Sequence, residues 1–156
     1  MTRTALLRHT PVILAALVAL CGGSSPQTVE AQSGNSNDDV KIRAVLASQV
    51  SAWNHGDIDG FMDGYARSET TEFISGDKLT RGWQTVRDRY KKKYDRREKM
   101  GTLTFSEMKI THLSGDAALV IGRWQLARPN DKPHGRFTLL FRRLPNGWRI
   151  VHDHTS

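Results

Sequence analysis

The chain changes its apolar period once, near Met100, and that single change limits the fold more than any other feature. Before it, apolar residues recur every three or four positions; after it, they alternate. Ile42, Val45, Leu46, Gln49, Val50 and Trp53 mark one helix face, preceded by the cap signals Asn37, Asp38 and Asp39 and stopped by Asn54-His55-Gly56. Asp57 caps a second, shorter helix whose Ile58, Phe61, Met62 and Tyr65 share a face. A short strand over 71–75 closes at Gly76-Asp77, and Trp83, Val86, Tyr90 and Tyr94 then mark the buried stripe of a third helix. Beyond Met100, Leu103 and Phe105 alternate with polar residues, but Met108 and Ile110 continue in the opposite phase. That predicts a bulge near Ser106-Glu107 that keeps both pairs inside and bends the strand. Strands follow over 117–127, 137–143 and 148–154, joined by Ser114-Gly115-Asp116, by a loop over 129–133 and by Leu144-Pro145-Asn146-Gly147. Helices first and hairpin-linked strands afterwards define an α+β domain, with three N-terminal helices packed on a curved antiparallel sheet.

The residues ahead of that domain read as an export signal. Arg3 and Arg8 precede the apolar run 11–20, which is too short to span a bilayer. Val29-Glu30-Ala31 offers small residues at the positions a signal peptidase reads, so residues 1–31 form a signal peptide and cleavage precedes Gln32. The alternative is a lipoprotein, because Val18-Ala19-Leu20-Cys21 resembles a lipoprotein box, although Leu20 stands where a small residue is expected. Residues 32–37 are a flexible linker, poor in bulky apolar side chains, and the domain occupies 38–156. The protein is expected to be periplasmic or secreted. Cys21 is the sole cysteine, so cleavage leaves no thiol, which agrees with an oxidising compartment and excludes a cysteine nucleophile.

Charge narrows the partners. The formal net charge is +7. Residues 87–99 (RDRYKKKYDRREK) hold eight Lys or Arg against three acids, so most of the excess sits on one segment. As a helix it turns Tyr90 and Tyr94 inward and spreads Lys91, Lys92 and Lys93 around the outside, which reads as one solvated face. Export argues against nucleic acid; weak electrostatic contact of Arg87 to Lys99 with an anionic envelope surface is the functional version of the same feature.

Several strings resemble the nuclear-transport-factor-2-like superfamily, specifically its SnoaL-like, domain-of-unknown-function 4440 group. They are Trp53-Asn54-His55-Gly56-Asp57-Ile58-Asp59-Gly60-Phe61, Gly115-Asp116-Ala117-Ala118, Gly122-Arg123-Trp124, Phe141-Arg142 and the terminal run Gly147 to Ser156 (GWRIVHDHTS). The hairpin string is a good helix stop followed by a good cap, whereas the terminal run is far more specific. The resemblance implies a cone-shaped fold, a pocket between helices and concave sheet, and a homodimer formed through the outer face of the sheet. It does not fix an activity, since relatives include ketosteroid isomerase, polyketide cyclases and a kinase hub domain. Laid over the isomerase, Gln49 stands at its tyrosine, Phe73 at its base, and Thr138 or Leu139 near its oxyanion aspartate, so none of the three is retained.

Candidate site residues follow from strand alternation. Trp148 and Ile150 make one face of the last strand the inner one, and strict alternation puts His152 and His154 on it, about 7 Å apart, with Arg149, Val151 and Asp153 outside. The two histidines then either reach a ligand in the pocket or bond neighbouring strand atoms. Trp53, Tyr65, Phe73, Trp83 and Trp124 join them as expected pocket residues, the indole N–H and phenol O–H of the Trp and Tyr side chains being suited to a partly wet cavity. Arg123 and Arg142 read as exposed. A zinc site would need a third ligand from His55, His112, His134 or a carboxylate, and no spacing points to one, so neither metal nor cofactor is expected. Three functions remain open: a binding module for a small, partly apolar or acidic molecule; an acid–base enzyme using His152, His154 or Glu72; and an envelope-associated interaction module.

Overall fold

The computed structural model describes residues 36–156; the expected signal peptide, Cys21 and residues 32–35 of the linker lie outside the described residues. Helix α1 spans Ser36–Asn54, α2 Ile58–Met62, α3 Trp83–Lys93 and α4 Arg97–Met100, the last a single turn that no periodicity announces. The strands are β1 Glu72–Ser75, β2 Lys78–Arg81, β3 Thr102–Ser114, β4 Ala117–Ala127, β5 His134–Leu144 and β6 Gly147–Thr155. Residues 36 and 37, expected in the linker, already belong to α1. Asp38 and Asp39 fill its first turn, where acidic groups complement the exposed N–H ends of the helix. Asp57 caps α2 by accepting the Gly60 N–H at 2.8 Å, a contact worth about 1 kcal/mol. None of the described helices is long and apolar enough to cross a membrane.

The six strands form one sheet in the order β2-β1-β6-β5-β4-β3. Four of them make the antiparallel meander the sequence predicts, but the sheet is mixed. Strand β1 pairs parallel to β6, and β2, not foreseen, folds back on β1 through the Gly76-Asp77 turn. A four-residue segment such as β1 has too few residues to reveal its partner from its own pattern.

Two bulges set which side chains face the helices. In β3 the register jumps between Ser106 and Lys109, with Glu107 at φ 53°, so Leu103 and Phe105 before it and Met108 and Ile110 after it all lie against the core, as the sequence predicts. In β6, Phe141 pairs with Ile150 while Leu140 pairs with His152, leaving Val151 as the extra residue. Every side chain beyond Val151 therefore changes face.

The core lies between the helices and the concave face. Ile42, Leu46, Met62, Val86, Val120, Phe141, Trp148 and Ile150 are fully buried at its closed end. Asp38 ties α1 to that end: its carboxylate accepts from Trp148 Nε1 at 3.2 Å and pairs with Arg143 on β5. Gly122 makes room for the Phe137 ring of the neighbouring strand, because a Cβ at this position would stand 2.3 Å from Phe137 Cζ. The other end of the same interior is open.

Candidate functional site

The open end holds a cavity of about 120 Å³. Trp53 of α1, Phe61 of α2, Tyr65, Phe73 of β1, Tyr90 of α3 and Tyr94 just after it, Phe105 of β3, Trp124 of β4 and Phe137 of β5 supply its rings, with Leu103, Leu126 and Leu139 between them. The rings brace one another. Trp53 meets Phe61 and Tyr94 edge-on at 5.1 and 4.7 Å, Tyr90 lies 5.5 Å from Phe73, and Phe105 meets Phe137 at 5.1 Å. The indole N–H of Trp53 donates to the Met100 carbonyl at 3.2 Å and that of Trp124 to Ser156 O at 3.2 Å, so these rings can offer apolar faces without stranding a donor.

One carboxyl group is buried in this apolar wall. Asp153, 4% exposed, lines the cavity beside Thr155. Its Oδ2 accepts from the Tyr65 hydroxyl at 2.6 Å and its Oδ1 from the Thr155 hydroxyl at 2.6 Å. Burial raises its pKa from the usual 3.8 to about 6; the bonds from Thr155 and Tyr65 and the neighbouring His152 and His154 pull the other way and hold it there. Burial first, and then the Asp153 charge, push the Tyr65 and Tyr90 phenols well above their ordinary range, so both stay protonated. In register, Asp153 lies between Phe73 of β1 and Leu139 of β5.

The residues expected from the sequence divide cleanly. Trp53, Tyr65, Phe73 and Trp124 line the cavity. His152, His154 and Trp83 do not, and Glu72 does not either. The Val151 bulge turns His152 and His154 to the outer face, where His152 Nδ1 meets Glu72 Oε2 across the strands at 3.1 Å and His154 is exposed. Glu72 is held below the usual carboxylate range by its bonds from Arg81 and then His152, so it is an ion-paired surface group. Trp83 lies two turns before Tyr90 on the same face of α3, beyond the cavity, donating to the Met62 carbonyl at 2.9 Å with the Arg67 guanidinium 4.7 Å above its ring. Among the described residues no group of three or more His, Cys, Asp or Glu side chains could hold a metal ion, and His55, His112 and His134 bond elsewhere.

The segment 87–99 is not one solvated face. Arg87 and Lys91 pair with Asp59, and Arg96 and Lys99 with Asp95, but Arg89 and Lys93 line the cavity. Asp153, Arg89 and Lys93 are the charged cavity residues that the sequence reading missed, together with the buried Gln49 and the rings of Phe61, Tyr90, Tyr94, Phe105 and Phe137. The stripe Val86, Arg89, Tyr90, Lys93, Tyr94 does contain both cations at helical spacing, so the signal was present for them.

The SnoaL-like domain model matches residues 42–156, nearly all of the described chain. The chain belongs to the SnoaL-like family. An NTF-2-like protein of unknown function from Shewanella oneidensis MR-1 is 41% identical to this SnoaL-like protein over 78% of this chain and 98% of its own, with a TM-score of 0.72. An NTF2-like superfamily protein from Salmonella enterica serovar Typhimurium LT2 (24% identity, 78% and 91% covered, TM-score 0.61) shares the fold. So does an NTF2-like protein of unknown function from Pseudomonas putida KT2440 (19% identity, 78% and 87% covered, TM-score 0.63). Among curated proteins none matches the chain.

Proposed function

We propose that this SnoaL-like domain binds one small, largely apolar ring compound in the cavity, with Asp153 as the buried polar contact. The observation that carries the reading is a wall of aromatic rings interrupted deep inside by a single carboxyl group. Apolar cavities of about 150 Å³ take a benzene ring, so the space suits one small ring with substituents reaching the opening. A thermal-shift and NMR screen of small aromatic and alicyclic compounds tests it, using Trp124→Ala and Asp153→Asn as cavity variants and His152→Ala as an outer-face control. At least one compound should lose affinity in the cavity variants and keep it in the control. A screen with no such compound ends the reading.

Asp153 favours a second reading, acid–base catalysis. A carboxyl group titrating near pH 6 can take a proton from a bound carbon acid and return it, while protonated Tyr65 steadies the group. Asp153 pairs in register with Phe73 and Leu139, on the strand between the positions laid over the isomerase's base and its oxyanion aspartate, so this reading puts the proton carrier on Asp153 rather than on the histidines or Glu72. Proton–deuterium exchange at the α-carbon of a bound cyclic ketone, lost in Asp153→Asn, would support it, and unchanged exchange in that variant would remove it.

Export by the N-terminal leader and self-association through the outer sheet face are part of the same proposal. The second is supported by exposed Leu79 and Ile121 on that face.

A further inference from the structure

We propose that the compound held in the cavity is a carboxylate, with its ring among the aromatic side chains and its anionic group held at the opening by Arg89 and Lys93; this rests on the cavity-binding reading above. Residues 89 and 93 are four apart on α3, which stacks them on one helix face, here the face that lines the cavity. Of the other cations of the segment, Arg87 and Lys91 hold Asp59, Arg96 and Lys99 hold Asp95, Arg97 bonds the Gly101 and Asn54 carbonyls, and Lys92 is exposed; none of them lines the cavity. Arg89 and Lys93 have no carboxylate partner among the described residues, although Arg89 is half-buried.

Arg89 is already oriented. Its Nη1 donates to Thr80 Oγ1 at 2.8 Å and its guanidinium carbon stands 5.2 Å from the centre of the Phe73 ring. That leaves the Nε–Nη2 edge without an acceptor among the described residues, and this edge can match the two oxygens of a carboxylate. Lys93 Nζ lies 5.2 Å from the centre of the Tyr94 ring, at the same opening, and adds a second charge without a fixed geometry. A half-buried guanidinium held in place and left without a counter-ion is a poor structural element, since burying a charge unpaired costs stability. It is a good receptor for an anion that arrives attached to an apolar ring. Asp153 also lines the cavity, but its two oxygens are already held by the Tyr65 and Thr155 hydroxyls and it forms no ion pair with either cation among the described residues.

The test compares three carboxylates (benzoate, phenylacetate and cyclohexanecarboxylate) with their primary amides, by NMR titration of the intact chain. At least one acid should bind about tenfold or more tightly than its amide, and added salt should narrow that gap. Arg89→Gln and Lys93→Gln should each reduce the acid's affinity and leave the amide's unchanged, while Lys92→Gln, on the same helix but outside the cavity, should change neither. Acids and amides binding equally in wild type overturns the proposal and leaves the cavity reading standing. If neither series binds, the cavity reading falls and this inference with it. Lys93 is exposed, so Lys93→Gln keeps the test decisive if Arg89→Gln fails to fold.

Discussion

A carboxyl group placed as Asp153 is works against the fold at neutral pH. Its pKa is about 6 in the native domain and near 3.8 in an open chain, so between those values the native state keeps a proton that the unfolded state has lost. The sign follows directly: the contribution is full below pH 4, declines as pH rises from 4 to 6, and is gone above it, a swing of order 2–3 kcal/mol. The charged neighbours are Arg89 and Lys93 at the opening and His152 and His154 on its own strand, while Tyr65 and Tyr90 stay neutral throughout. Asp59 acts in the opposite direction at lower pH: its bonds from Arg87 and Lys91 hold it at about 2, so its contribution is lost as pH falls from 4 to 2. Melting temperature should therefore peak near pH 4–5 and fall by roughly 5–10 °C toward pH 7. In Asp153→Asn that upper slope should disappear and the protein should melt higher than wild type at pH 8. A wild-type profile that rises from pH 4 to pH 7 would contradict this reading of Asp153. Stability given up at a cavity-lining group is the pattern expected where binding or catalysis requires it.

At the scale of elements, the two bulges explain what could be read in the sequence and what could not. Both strands carry an extra residue, but in β3 apolar side chains mark the phase on each side of it, Leu103 and Phe105 before and Met108 and Ile110 after. In β6 only Trp148 and Ile150 mark the phase, both before Val151; beyond it stand His152, Asp153, His154 and Thr155, whose polarity does not say which face is inner. Alternation carried through an unseen bulge gives the wrong face for all four. The same lack of an apolar marker hides β2, whose Thr80 is the sole buried residue of its four, and α4, which is one turn long. Long elements with a repeated apolar stripe, α1, α3 and β4, were legible because burial demands the repeat. Gly122 tests how tightly the bent sheet is packed. Gly122→Ala sets a methyl against the Phe137 ring, and since Phe137 also braces Phe105, the ring cannot move without disturbing the cavity wall. Overpacking of this kind should cost about 1–3 kcal/mol, read as a lower urea midpoint at unchanged m-value. A midpoint equal to wild type would mean that the wall yields.

For the whole molecule, the sheet divides two chemistries. Its concave side is committed to the core and cavity. Its convex side presents Leu119 on β4 opposite Leu140 on β5, with Ile121 and, at the far edge, Leu79 exposed, and Glu107 paired with Arg136 and Asp116 with Arg142 toward the margins. An apolar strip rimmed by ion pairs is the pattern of an interface, and an isologous pairing of two copies lets the same strip cover itself. The proposed dimer should therefore run at twice the monomer mass in sedimentation equilibrium, and Ile121→Arg, which sets two like charges into the centre of the contact, should shift it to monomer while leaving the fold intact by circular dichroism. Because the cavity opens on the other side of the sheet, the monomeric variant should keep the ligand affinity of wild type. Loss of binding on dissociation would show instead that the second copy shapes the cavity, and a wild-type chain that sediments as a monomer would leave the convex strip without this partner.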